Sequence, residues 1–290
     1  MDDCRLAALS MALEQVRESC DVDDRLAVDP VGIVRRFRDP GVAELVGLLA
    51  ASLAFGNVKS IRSSIERVLS LLGVDFLAVL EDRAATVSLL SGVRHRMVDG
   101  CDVARMLVGA RRVQREYGTL GSAFYADWAS NDGDMRRSLA SWVERIRDKA
   151  GFGENADQGR RGPAHVLTDP MRGSGCKRLL LYLRWMVRRD DGVDVGLWDG
   201  LTPDILLMPV DTHVHRIAVN LGMTRRLMPS WRVSEDITSV LRMIDPLDPI
   251  RFDFALCHLG MSGGCPSKPD RACCDGCAAR RACLAYDDVR

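Results

Sequence analysis

The feature that most limits the fold of this chain is a periodicity. Apolar residues recur at helical spacing through most of its length, and no β-branched run alternates long enough to build a sheet. "ELVGLLAASLAF", Glu44 to Phe55, is apolar nearly all round, which suits a helix buried at the centre of a domain. "SIRSSIERVLSLLG", Ser60 to Gly73, mixes apolar and charged residues with helical period and stops at a glycine. Similar amphipathic runs fill 101–117 and 134–149. The pattern predicts an all-α protein.

The 290 residues allow one large or two small domains. No apolar run reaches the ~20 residues needed to span a bilayer. Asp2 and Asp3 stand where a secretion signal carries positive charge, so the chain is expected in the cytoplasm, away from membranes. The 40 basic residues are balanced by 40 acidic ones. That excludes any general attraction to polyanions, and a nucleic acid would have to be met by a local patch.

Chemistry gathers in the second half. "GFGENADQGRRGP", Gly151 to Pro163, has no periodicity and reads as a loop. Beyond it, "TDPMRGSG" is turn chemistry ahead of a helix expected from Cys176 to Arg189. "PVDTHVHRIAVNLG" then opens a helix at Asp211 and closes it at Gly222. Two more helices follow before a run of cysteines.

Five of the ten cysteines fall between 265 and 283. Cys265, Cys274, Cys277 and Cys283 form C-x8-C-x2-C-x5-C, with Cys273 beside Cys274 as a rival ligand. Four thiolates on a short loop suit either tetrahedral zinc or an iron–sulfur cube. The five scattered cysteines, Cys257 among them, read as small buried hydrophobes.

In "RGSGCKR", Arg172 to Arg178, two glycines bracket a serine ahead of a cationic helix start. Gly173 and Gly175 allow backbone conformations closed to other residues. The N–H groups of Gly173, Ser174 and Gly175 and of the following helix can converge on a phosphate, beside Arg178. Lys177 is a candidate nucleophile, since a lysine amine attacks an electrophilic carbon once deprotonated. Burial and the Arg178 cation are expected to lower its pKa. Asp211 is a candidate helix N-cap.

Taken in order, these segments resemble the helix–hairpin–helix DNA glycosylases, endonuclease III and adenine DNA glycosylase among them. The resemblance rests on G-x-G-x-K at Gly173, Gly175 and Lys177, on "VDTHV" at Asp211, and on the cysteine run. It implies a two-lobed glycosylase fold with a C-terminal iron–sulfur loop. A helical barrel would occupy 41–209, and a second lobe would join 1–40 to 210–290, with the active site in the cleft between them. It implies a [4Fe-4S] cluster on Cys265, Cys274, Cys277 and Cys283, with zinc as the alternative. Lys268 and Arg271 of the cluster loop would touch phosphate.

The activity so implied is base-excision repair on duplex DNA by a monomeric glycosylase and AP lyase. Lys177 would attack the sugar and Asp211 would assist departure of the base. The 34-position interval from Lys177 to Asp211 is about twice that of endonuclease III and similar to that of archaeal 8-oxoguanine glycosylases. It favours 8-oxoguanine over an oxidised pyrimidine, and it leaves Asp190, Asp191 and Asp194 as competitors for the carboxylate role. Asn57 or Phe55 would fill the emptied stack, with Trp185 and Trp198 as further stacking candidates. The rival function is a catalytically silent protein that binds damaged or bent DNA and carries a structural metal cluster.

Overall fold

The computed structural model describes residues 1–153, 157, 159–268 and 270–286. In chain order the helices are α1 (Asp3–Glu18), α2 (Val22–Val28), α3 (Val31–Val34), α4 (Pro40–Ser52), α5 (Val58–Leu72), α6 (Phe76–Val79) and α7 (Arg83–Leu90). After a minimal hairpin of β1 (Arg94–His95) and β2 (Val98–Asp99) come α8 (Gly100–Tyr117), α9 (Leu120–Ser130), α10 (Met135–Ala150) and α11 (Gly162–Val166). The series ends with α12 (Lys177–Val187), α13 (Thr212–Asn220), α14 (Trp231–Ile244), α15 (Asp253–Met261) and α16 (Arg271–Cys274). The all-α expectation holds.

The chain divides into two compact units. A terminal unit combines Met1–Arg25, Gly175–Leu180 and Thr202–Arg290, and a central unit combines Leu26–Ser174 and Leu181–Leu201.

The central unit is built on α4. Asp39 caps it by accepting from the Val42 N–H at 2.9 Å, and Pro40 supplies a preset φ at its start. Buried on nearly every side, the helix carries one carboxylate, Glu44, which is 2% exposed. That charge is tolerated because Trp198 Nε1, Gln114 Nε2 and the Leu120 and Gly121 amides all donate to it at 2.7–3.1 Å. Phe124, Trp142, Tyr182 and Trp198 pack around this point with ring centroids 5.4–6.3 Å apart. Helix α8 starts with a capping box between Asp99 and Asp102 and presses on α10 at Gly109. A Cβ there would lie 2.6 Å from the Ile146 carbonyl oxygen.

In the terminal unit, Arg5 of α1 donates to the carbonyls of Leu221 and Ala282, and Glu14 pairs with Arg251. These contacts tie the N-terminal helix to segments more than 200 residues away in sequence. Thr238 of α14 accepts from the Met208 N–H at 2.9 Å and so seats the segment that leads to Asp211.

The expected class, a two-lobed helix–hairpin–helix glycosylase fold closed by an iron–sulfur loop, needs correction. Among the described residues, no group of three or more His, Cys, Asp or Glu side chains is arranged to hold a metal ion. What stands is the helical architecture. No helix among the described residues is long and apolar enough to cross a membrane.

Candidate functional site

Lys177 and Asp211, 34 positions apart in sequence, meet in the terminal unit: Nζ lies 3.3 Å from Oδ2. Asp211 is the N-cap of α13, in extended conformation, and its Oδ1 accepts from the His213 and Val214 amides at 2.9 and 2.8 Å. The two oxygens of one carboxylate therefore have separate tasks. Oδ1 fixes the start of a helix and Oδ2 faces the amine. The lysine side chain is 30% exposed and the aspartate 17%, so the pair is half-buried.

The electrostatics reverse one expectation. Burial does disfavour the Lys177 ammonium, but the nearby Asp211 carboxylate, with Cys257 and Asp253 acting in the same sense, more than offsets it. Its pKa is raised above the ordinary lysine value. Burial likewise works against the Asp211 carboxylate, and Lys177 together with the Val214 amide prevails, leaving its pKa lowered. The resting state is an ion pair. Arg178, brought down to about 10 by burial, remains a cation at neutral pH.

The turn before α12 is built differently from the glycine pattern. Gly173 does take the left-handed conformation, with φ of 80°. The second positive φ belongs not to Gly175 but to Cys176, at 48°. A non-glycine residue there is uncommon and costs on the order of 1 kcal/mol or more. Gly175 instead lies against the backbone of Ser230, where a Cβ would sit 3.4 Å from the carbonyl carbon. Ser174 is half-buried.

Two residues of α15 complete the site and were not singled out from the sequence. Cys257 Sγ lies 3.9 Å from the same Asp211 Oδ2 that faces Lys177. Asp253, buried, is one turn earlier on the same helix face and adds to the negative field at the amine. Helix α15 gets this close to α13 because Gly260 has no side chain, as a Cβ there would fall 2.6 Å from His213 Cβ. The signal was the i, i+4 spacing of Asp253 and Cys257 ahead of a glycine at Gly260.

The cysteine run is a correction. Cys265, Cys274, Cys277 and Cys283 line one pocket with Asn220 and Leu221, but no three of them are arranged to hold a metal ion. Burial pushes the Cys277 and Cys283 thiols up, with Cys265 adding to the rise in both, and protonated thiols pack as small hydrophobes. Cys265 Sγ accepts from Asn220 Nδ2 at 3.6 Å, and Cys273 is exposed with its amide bound to Asp270. Neither the [4Fe-4S] cluster nor zinc is supported, and the iron–sulfur and metal-binding descriptions fall with them. Lys268 and Arg271 are exposed.

The stacking candidates sit in the central unit. Asn57 caps α5 by accepting from the Lys59 amide at 2.9 Å. The Phe55 ring packs edge-on to His95 and His165, with centroids at 4.7 and 4.3 Å. Trp185 is fully buried and Trp198 belongs to the aromatic core around Glu44. The competing aspartates also have structural partners. Asp194 bonds Arg184 and Arg188, Asp191 bonds Arg188 and two loop amides, and Asp190 bonds Arg35.

No curated protein and no solved structure matches the chain. A family model does match, over residues 29–262, a span that contains Lys177, Asp211 and Cys257 and ends ahead of Cys265. On that match the chain belongs to the DUF2400 family, a protein family of unknown function.

Proposed function

We propose that this protein is a cytoplasmic base-excision DNA glycosylase with AP lyase activity, acting on an oxidised base extruded from duplex DNA. The observation that carries the reading is the 3.3 Å contact between Lys177 Nζ and Asp211 Oδ2, made by a carboxylate whose other oxygen is committed to a helix start. The backbone thereby aims a fixed negative charge at an amine.

An ammonium is not a nucleophile, so Lys177 must first lose a proton, and Asp211 Oδ2 is the base within reach. As the bond between the sugar C1′ and the base nitrogen breaks, its electron pair leaves with the base. Asp211 passes the proton it took to the departing base, and its restored carboxylate stabilises the positive charge that builds on the sugar. The Nζ lone pair then forms a bond to C1′. Ring opening gives a Schiff base, and loss of the C2′ proton expels the 3′ phosphate by β-elimination. Extruding the base costs a few kcal/mol, least at a lesion.

Borohydride trapping on duplexes carrying 8-oxoguanine, an oxidised pyrimidine or an abasic site tests this. The long interval between Lys177 and Asp211 puts 8-oxoguanine first. A covalent adduct with wild type, absent in Lys177→Gln, is the expected result. No adduct with any lesion overturns the enzymatic reading. The raised pKa of Lys177 favours, as a second reading, a protein that binds damaged duplex without cutting it. Lesion-selective binding without an adduct is its signature.

A further inference from the structure

The loop between α13 and α14 carries the most exposed pair of neighbouring large apolar side chains in the terminal unit. Leu227 is 88% exposed and Met228 74%. They are not on a loose tether. Just ahead of them, Thr224 Oγ1 and Arg226 Nε both donate to Asp236 Oδ2, at 2.9 and 2.8 Å. His215 Nε2 donates to the Arg226 carbonyl at 2.9 Å. Just beyond them, Ser230 rests against Gly175 and Trp231 is buried. The segment is held at both ends and its middle is presented outward.

Exposing two such side chains on a braced loop leaves their apolar area in water, a cost that a binding partner would remove. The charge beside them identifies the partner. Arg225 and Arg232 are exposed and form no ion pair among the described residues. No acidic residue lies between Met223 and Arg232. Apolar tips flanked by arginines suit a duplex: leucine and methionine can enter a base step while the guanidiniums meet the flanking phosphates. A lipid surface would call for a broader apolar face than two side chains. The loop is also near the candidate site, since Ser230 packs on Gly175, two positions before Lys177, and His215 lies one turn after Asp211.

We propose that Leu227 and Met228 form a wedge that enters the stack of duplex DNA at an abasic or base-extruded position, with Arg225 and Arg232 clamping the adjacent phosphates. This rests on the reading of the Lys177 site as one that acts on DNA. It moves the stacking role from Asn57 and Phe55, whose side chains are already engaged, to a loop of the terminal unit.

The test uses full-length protein and a duplex with a tetrahydrofuran abasic analogue, which cannot form a Schiff base, beside the same duplex undamaged. Leu227→Ala with Met228→Ala should weaken binding to the abasic duplex about tenfold, equivalent to about 1.4 kcal/mol. Binding to intact duplex should barely change. A 2-aminopurine placed next to the gap should brighten with wild type and stay dark with this variant. Arg225→Ala with Arg232→Ala should weaken both duplexes alike and flatten the salt dependence by about 0.9 per lost phosphate contact.

Wild-type abasic preference and 2-aminopurine signal in the tip variant would overturn the proposal, as would failure of wild type to bind any duplex. So would binding to anionic phosphatidylserine vesicles that depends on the tip when DNA binding does not, or a wild-type dimer that the tip variant breaks. Trapping on an aldehydic abasic site separates the two claims. If it fails while the tip-dependent preference persists, the enzymatic reading is lost and the wedge stands.

Discussion

Asp194 of the central unit and Asp211 of the terminal unit are both carboxylates facing cations, and they do opposite things. Asp194 is 0% exposed and is enclosed by Arg184 and Arg188, which are nearly as buried. Asp211 keeps one oxygen for the α13 amides and turns the other to a lysine that is 30% exposed. Guanidiniums cannot give up a proton near neutral pH, so the first arrangement can only hold structure. An amine can, so the second can do chemistry. The choice of cation and its access to solvent, more than burial of the acid, separate an architectural ion pair from a candidate site.

The sharpest way to break this contrast is to remove each acid in turn. Asp194→Ala leaves two buried guanidiniums without their partner and should cost about 3–5 kcal/mol, close to unfolding the central unit. Asp211→Asn keeps an oxygen for the α13 amides and should stay within about 1 kcal/mol of wild type. Urea unfolding followed by circular dichroism measures both. Equal losses would show that the Lys177–Asp211 pair is as architectural as the arginine network.

The next effect concerns the packing that brings α15 to α13. Gly260→Ala places a methyl 2.6 Å from His213 Cβ, on a helix whose partner cannot retreat without moving Asp211. Overpacking of this kind costs about 1–3 kcal/mol. It should lower both the melting temperature and Schiff-base yield. At Gly175 the same change meets only ordinary contact, so Gly175→Ala is expected to be mild. If the two variants lose equal stability, close approach of α15 is not what builds the site.

Much of this architecture can be read from sequence, and the exceptions have physical causes. Helical content followed from the Glu44–Phe55 and Ser60–Gly73 runs, because burial periodicity is local. Asp211 as an N-cap and Lys177 at a helix start were likewise local, and their pairing came only through resemblance. Three things were not legible. The role of Asn57 and Phe55 depended on neighbours, as Phe55 packs between histidines 40 and 110 positions away. The raised pKa of Lys177 came from Cys257 and Asp253 as well as Asp211, all distant in sequence. The cysteine spacing was legible but misleading, since interval alone does not say whether thiols converge or line a pocket.

The pH dependence sharpens the comparison further. Lys177 has a raised pKa, so its stabilising contribution is full below the unfolded lysine value near 10.4 and is lost as pH climbs through the folded one. Asp211 has a lowered pKa, so its contribution is present above about 3.9 and fades as pH falls through the folded value. The pair thus supports the fold across the whole neutral range, and activity that needs the free amine should increase toward alkaline pH. Asp211→Asn removes the main group holding the proton on Lys177. Any residual trapping should then shift its pH profile toward acid. An unshifted profile would mean that Asp211 does not set the amine's protonation.

The smallest effect should come from Cys257. A thiol 3.9 Å from a carboxylate oxygen is a weak donor, and its removal takes away little packing, so Cys257→Ala is expected to cost about 0.5–1 kcal/mol at most. Its influence should appear instead in the balance at Asp211 Oδ2, which faces both the amine and the sulfur. Without the thiol the carboxylate is free to turn more fully to Lys177, whereas Cys257→Ser keeps a donor in a smaller atom that reaches less far. Trapping rates ordered wild type, serine, alanine at one pH, falling by more than the small loss of stability accounts for, would identify Cys257 as a positioning residue. Rates that follow stability instead would return it to the packing role its sequence suggested, and would leave Asp211 with the α13 amides and Lys177 as the partners that matter to it.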